Sequence, residues 1–231
     1  MIGQTDDRLI VALDFAAKRH ATDMVGKLAG IAGFYKLGLG SLAWGGLELA
    51  FELKNDGMRV FLDLKLFDIA SVVARAAERL SALDVDFLTV HGDPYVVRSA
   101  VQGRGDATTK ILAVTFLTSV DRRDLDAALV RDGAIGDLAK ERAVRAFDAG
   151  ADGIIASAHE AESIRAIPSA TGKLVVTPGI RLDGGAGNDQ KRIMTPGAAI
   201  NAGVDHIVVG RPIIEAKNPV DAAKKILAGL P

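Results

Sequence analysis

Short apolar runs rich in β-branched residues recur along the whole chain, each bounded by Gly, Asp or Pro. Those at 9–14, 34–38, 60–65, 87–91, 111–117, 153–157, 174–178 and 206–210 have the length and character of strands buried on both faces, as in a parallel sheet. Between most of them the apolar positions return with helical spacing, at 21–29, 42–55, 71–83, 125–130, 138–149, 161–167 and 198–202. A last helix is predicted at 219–230, with Asn218 suited to the N-cap and Pro219 to the first helical position. Two helices run out into similar segments, Asp148-Ala149-Gly150-Ala151-Asp152 and Asn201-Ala202-Gly203-Val204-Asp205, where the glycine suits a left-handed cap.

Eight strand–helix units with no linker, low-complexity run or break in composition predict an α/β fold, one closed (β/α)8 barrel over 1–231. A doubly wound open sheet is the alternative. It needs fewer strands and usually a Gly-x-Gly-x-x-Gly turn after the first, where this chain reads Leu13-Asp14-Phe15-Ala16. The length of 231 residues suits a barrel, which commonly runs to about 250.

Composition then removes whole classes of function. With 49% hydrophobic and 25% charged residues the chain has the balance of an ordinary folded globule. Its 28 basic and 29 acidic residues give a net charge of −1, so no charge-driven attraction to nucleic acid or to an anionic membrane is expected. The absence of cysteine excludes disulfides, thiolate zinc sites and cysteine nucleophiles, and four scattered histidines show no metal-ligand spacing. No apolar stretch approaches the roughly 20 residues that span a bilayer. The first eight residues lack the pattern of a signal peptide, so a cytoplasmic protein is expected. Twenty-five glycines against 5% aromatics ask for many tight loops.

In a barrel, chemistry sits where strands end. The predicted strand ends carry Asp14, Lys36, Asp63 with Lys65, His91, Thr118 with Ser119, Thr177 with Arg181, and Gly210 with Arg211. Any one of these reads most simply as a solvated cap; the set does not. Asp63 and Lys65, two apart on a strand, project to one face, and with Leu62 and Leu64 turned to the helices that face is the interior mouth. Charges there are expensive unless paired. Asp68 adds a second carboxylate at the loop-to-helix boundary, and Lys36 a second ammonium from the neighbouring strand. A lysine flanked by two carboxylates stays protonated, which makes it a proton donor and not a Schiff-base nucleophile. Arg181 and Gly210-Arg211 end the last two strands, where barrels frequently bind phosphate. The segment 182–190, with three glycines and no apolar period, reads alone as a surface loop and between those two arms as a mobile lid. His91 reads as a packed or hydrogen-bonded histidine, Trp44 as core or interface packing, and the mixed charges of Asp121-Arg122-Arg123-Asp124 as a solvated helix start.

The segment Asp63-x-Lys65-x-x-Asp68-Ile69 resembles the signature of the orotidine 5′-monophosphate decarboxylase family, in its bacterial form, and the likeness runs nearly end to end. It takes in Val11-Ala12-Leu13-Asp14, Tyr35-Lys36-Leu37-Gly38, Thr89-Val90-His91, Leu117-Thr118-Ser119, Thr177-Pro178-Gly179-Ile180-Arg181, Asn188-Asp189-Gln190-Lys191-Arg192 and Val208-Val209-Gly210-Arg211-Pro212-Ile213. The Asp-x-Lys-x-x-Asp triad alone is shared with sugar-phosphate decarboxylases and lyases of the same barrel superfamily, which stay open as an alternative. A nucleotide-binding protein without turnover is a second one.

The resemblance implies a homodimer of (β/α)8 TIM barrels that converts orotidine 5′-monophosphate to uridine 5′-monophosphate without metal or organic cofactor. It implies that Lys65 protonates C6 of the pyrimidine after CO2 leaves and that Asp63 sits beside the departing carboxylate. Lys36 and Asp14 would hold the ribose hydroxyls and the charge network, and Thr118 and Ser119 the pyrimidine. Gln190 would bridge phosphate and base, Arg181, Gly210 and Arg211 would bind the phosphate, and Asp68 and Ile69 would cross into the partner's site. After Ile69 the family usually continues Pro-Asn-Thr, whereas this chain has Ala70-Ser71-Val72, and Phe67 stands where histidine is common. The usual threonine donates a hydroxyl across the dimer interface, which Val72 cannot do.

Overall fold

The computed structural model describes residues 5–181 and 194–231. Its strands are β1 (Leu9–Ala12), β2 (Phe34–Gly38), β3 (Arg59–Leu66), β4 (Phe87–His91), β5 (Lys110–Val114), β6 (Gly153–Ile155), β7 (Leu174–Thr177) and β8 (His206–Val209). They pair in parallel, in chain order, and close when Leu9 and Val11 of β1 meet Ile207 and Val209 of β8. The helices are α1 (Lys18–Lys27), α2 (Gly46–Asn55), α3 (Ala70–Ser81), α4 (Pro94–Arg104), α5 (Arg122–Ala127), α6 (Ile135–Asp148), α7 (Ala158–Arg165), α8 (Pro196–Asn201), α9 (Arg211–Ile214) and α10 (Pro219–Ala228). The closed (β/α)8 barrel expected from the sequence is therefore the fold. No helix among the described residues is long and apolar enough to cross a membrane.

Three differences from the sequence reading have physical causes. Several strands stop earlier than expected, β1 at Ala12 and β5 at Val114: Leu13 and Thr115 each keep one backbone hydrogen bond to the next strand, and the residues after them, Asp14, Phe116 and Leu117, line the mouth. Helix α4 is an addition: Pro94 opens it and Val96, Val97 and Ala100 are buried. Gly103 within it lies against α3, where a Cβ would stand 2.0 Å from the Ala74 carbonyl oxygen, so a glycine that weakens the local helical signal is what allows the two helices to meet. Helix α9 is the third, a single turn directly after β8.

Two apolar layers result. Leu62, Leu64, Val73, Ala77 and Val97 belong to the layer between sheet and helices. Ile10, Ala12, Phe34, Phe61, Phe87, Leu112, Val114, Ile155, Val176 and Val208 fill the barrel interior, with every strand contributing.

The end of the barrel opposite the strand termini is held by a repeated device. Asp86, Asp152 and Asp205 immediately precede β4, β6 and β8, and each carboxylate accepts the backbone N–H of the second residue of the strand before: Val60 at 2.9 Å, Ile111 at 2.9 Å and Val175 at 2.7 Å. Each also meets a cation, Lys54 and Arg59 at Asp86, Arg104 at Asp152 and Arg165 at Asp205. Gly150 and Gly203, with φ of +99° and +98°, turn the chain from helix into the latter two, as the sequence expects of them.

Candidate active site

The inward-facing rows of the first three strands change from apolar to charged as they reach the C-terminal mouth. Ile10 and Ala12 are followed by Asp14, Phe34 by Lys36, and Phe61 by Asp63, each two residues on and therefore on the same face. Parallel pairing sets Lys36 level with Phe61 and Gly38 level with Asp63. The result is a continuous ionic row. Lys36 Nζ stands 3.2 Å from Asp14 Oδ1 and 3.3 Å from Asp63 Oδ2, and Lys65 Nζ stands 2.8 Å from Asp63 Oδ1. Only 9% of the Lys36 side chain and 14% of that of Asp63 is exposed, against 57% for Asp14 and 37% for Lys65, so the row is buried at its middle and open at both ends.

Burial alone would discharge both inner groups; opposite charge prevents it. Desolvation pushes the Lys36 ammonium down, but Asp63 and Asp14 outweigh it and hold it above the ordinary lysine value. Desolvation pushes the Asp63 carboxyl up, but Lys36, Lys65 and the hydrogen bonds from Lys65 and Thr89 hold it below the usual carboxylate range.

Strand β3 reaches this geometry through an irregularity. Leu62 lies opposite Leu88 of β4 and Leu66 opposite Val90, so three residues of β3, Asp63, Leu64 and Lys65, span the place of the single residue Thr89. Lys65 takes a left-handed backbone, φ +50°. Its N–H donates to the Thr89 hydroxyl at 3.0 Å, and that hydroxyl donates to Asp63 Oδ1 at 2.9 Å. Gly38 leaves room beside it: a Cβ there would stand 2.9 Å from Asp14 Oδ1 and 3.1 Å from Lys36 Nζ and would displace these side-chain ends.

The row forms one wall of a cavity of about 490 Å³, the size of a small-molecule site. Ala12, Val114, Ile155 and Val208 give it an apolar floor. Thr118 and Ser119 line it, and so do Arg181, Gly210 and Arg211. The structure thus brings together Asp14, Lys36, Asp63, Lys65, Thr118, Ser119, Arg181, Gly210 and Arg211, as the sequence predicts. Asp68 and Ile69 do not line this chain's own cavity; they are exposed on the loop between β3 and α3. Gln190 and the segment 182–190 lie outside the described residues. Thr177 is buried and does not line the cavity. His91 meets Asp93 through Nδ1 at 2.5 Å, a hydrogen-bonded strand-end histidine as expected, and Trp44 donates from Nε1 to the Phe15 carbonyl at 2.8 Å. Asp121 and Asp124 form the capping box of α5. The sequence reading missed Leu39, Phe116, Leu117, Ile214 and Glu215, which also line the cavity. Four of them are apolar, and no chemical mark separates an apolar residue at a mouth from one in a core.

Fold and site together define an α/β-barrel protein with a ligand-sized, charge-alternating mouth and an arginine pair among the residues that line it. Compared with known families, residues 7–226 match the model described as "Orotidine 5'-phosphate decarboxylase / HUMPS family". A protein of Jannaschia sp. (strain CCS1) named orotidine 5′-phosphate decarboxylase is 57% identical over 228 residues, covering 98% of this chain and 100% of the relative. One of the same name from Ruegeria pomeroyi is 57% identical over 224 residues, covering 96% and 93%. Among solved structures, orotidine 5′-phosphate decarboxylase from Lactobacillus acidophilus superposes with a TM-score of 0.83 at 31% identity, over 97% of this chain and 99% of that one. The chain belongs to the orotidine 5′-phosphate decarboxylase / HUMPS family.

Proposed function

We propose that this protein is a carboxy-lyase that decarboxylates orotidine 5′-monophosphate to uridine 5′-monophosphate, the last step of de novo pyrimidine synthesis, with the whole chain acting as one barrel domain. The observation that carries this reading is the Lys65 ammonium at the cavity wall, 2.8 Å from a buried Asp63 carboxylate, in a chain 57% identical to relatives bearing that name. Loss of CO2 leaves an electron pair on C6 in the plane of the ring, orthogonal to its π-system, so the ring cannot spread it. An ammonium in contact stabilises that developing charge and then delivers its proton to C6. The C6–carboxyl bond breaks, CO2 departs, a C6–H bond forms, and the neutral Lys65 amine regains a proton from solvent. Asp63 stands beside the departing carboxylate and orients the Lys65 ammonium through their 2.8 Å contact. Lys36 and Asp14 hold the ribose hydroxyls, Thr118 and Ser119 the pyrimidine edge, and Arg181, Gly210 and Arg211 the phosphate, with Gln190 bridging phosphate and base. Binding energy gathered at the phosphate can then be expressed at C6.

The working unit in this reading is a homodimer in which Asp68 and Ile69 enter the partner's site. Its support is a set of exposed apolar side chains on three successive βα units, Leu42 46%, Phe51 54%, Phe67 60%, Ile69 66% and Tyr95 43%, with the Phe67 and Tyr95 rings 6.4 Å apart. Substrate and product are soluble nucleotides, which implies the cytoplasm. Purified protein mixed with orotidine 5′-monophosphate should bleach the orotidylate absorbance, equally with and without EDTA. Loss of turnover in EDTA, turnover of a sugar phosphate instead, or uridine monophosphate binding without product in a single turnover would each overturn the proposal.

A further inference from the structure

We infer that Thr89 is a positioning residue for the reaction: its hydroxyl fixes the Asp63 carboxylate and the Lys65 backbone as one unit. This rests on the activity proposed above. The hydroxyl is fully buried and uses both its capacities, donating its one proton to Asp63 Oδ1 at 2.9 Å and accepting the Lys65 N–H at 3.0 Å. Donor and acceptor roles are unambiguous, because an amide N–H can only donate and a carboxylate only accept. Asp63 Oδ1 is the oxygen that Lys65 Nζ also touches, so one atom of Asp63 carries the contact that orients the ammonium and the contact that orients the carboxylate.

The irregularity in β3 explains why such a residue is required. Three residues spanning the place of one take the Lys65 N–H out of the regular strand register and place Lys65 at φ +50°, a backbone that a non-glycine residue holds only when its surroundings impose it. The Thr89 side chain stands in for the ladder partner. Asp63 is otherwise faced by Lys36 from β2 and Lys65 from its own strand, with Asp14 of β1 beyond Lys36. Thr89 is the uncharged contact on the β4 side. It therefore sets direction without adding charge, and a geometry so held is worth most in the transition state, where misplacement of the donor is costly.

Thr89→Val keeps the shape and removes both hydrogen bonds; Thr89→Ser keeps the hydroxyl and removes a methyl. With orotidine 5′-monophosphate, Thr89→Val should lower kcat about 10- to 100-fold while KM and the Kd for uridine monophosphate move less than about 3-fold, and Thr89→Ser should restore most of kcat. The acid limb of kcat should move to higher pH in Thr89→Val alone, since Asp63 loses a hydrogen bond to its ionised form. An unchanged kcat in Thr89→Val, or a Thr89→Ser variant as impaired as Thr89→Val, overturns the inference; the second result would mean packing. If Thr89→Val does not fold, Thr89→Ala against Thr89→Ser makes the same comparison. Should the wild-type protein itself not turn over, the activity reading fails on its own. The 13C titration of the Asp63 carboxyl still decides the inference, with a midpoint that rises in Thr89→Val supporting it and one that stays overturning it.

Discussion

Lys36 shows most plainly what a single residue contributes here. Nine-tenths of its side chain is out of water, and it remains charged only because carboxylates stand at 3.2 and 3.3 Å on either side. Removing Lys36, the member that bridges two carboxylates, exposes Asp63 to its own burial. Asp63, held below the carboxylate range by Lys36, contributes stability and an ionised group that are complete above the unfolded value of about 4 and are lost as pH falls through the lower folded value. In Lys36→Met burial dominates and the Asp63 carboxyl rises, so acid unfolding and the acid limb of kcat should both move to higher pH; thermal melts and rates across a pH series check this. Lys65 is the more exposed lysine, and Lys65→Ala should leave the melting temperature nearly unchanged while lowering kcat by at least about 10²- to 10⁴-fold, the usual range for losing a general acid. A variant that melts normally and turns over normally would remove Lys65 from the chemistry.

At the scale of elements, the strands were legible because buried parallel strands must be continuous apolar runs, and all eight appear near their expected places. Helix α4 was not, since Gly103 lowers its local propensity and only the approach of α3 gives that glycine a purpose. The distortion of β3 was equally hidden. Asp63 and Lys65 look like plain alternation in sequence, and nothing local says that β4 advances two residues while β3 advances four. The short α9 shows the converse, an element of one turn whose value lies in where it puts Arg211, at the cavity beside Gly210. Arg211→Ala should raise KM about 10- to 100-fold, the worth of one charge-assisted hydrogen bond, and change kcat much less. An unchanged KM would refute the phosphate role.

For the molecule as a whole, the barrel separates stability from function by end. The carboxylates of Asp86, Asp152 and Asp205 tie neighbouring strands together at the face opposite the cavity, each satisfying a backbone N–H that would otherwise lack a partner. Asp152→Ala removes the acceptor of the Ile111 N–H and the partner of Arg104 at 2.7 Å, and should cost about 1–3 kcal/mol. In a protein of this size that lowers the melting temperature by about 2–4 °C per kcal/mol, with kcat unchanged at temperatures where the variant is folded. A fall in kcat without a fall in melting temperature would show that the two ends are coupled.

The barrel, the identity of the charged residues at its mouth and the turns marked by Gly150 and Gly203 follow from the order of residues alone, because periodicity, residue type and glycine conformation act over a few neighbouring positions. That Thr89 holds Asp63 and Lys65, that Gly38 clears room for Asp14 and Lys36, and that Asp152 and Asp205 clamp strands besides following a helix cap emerges with the folded barrel. Each of these depends on at least one pair of atoms about 20 to 40 residues apart meeting within about 3 Å, and that proximity exists only once the sheet has closed.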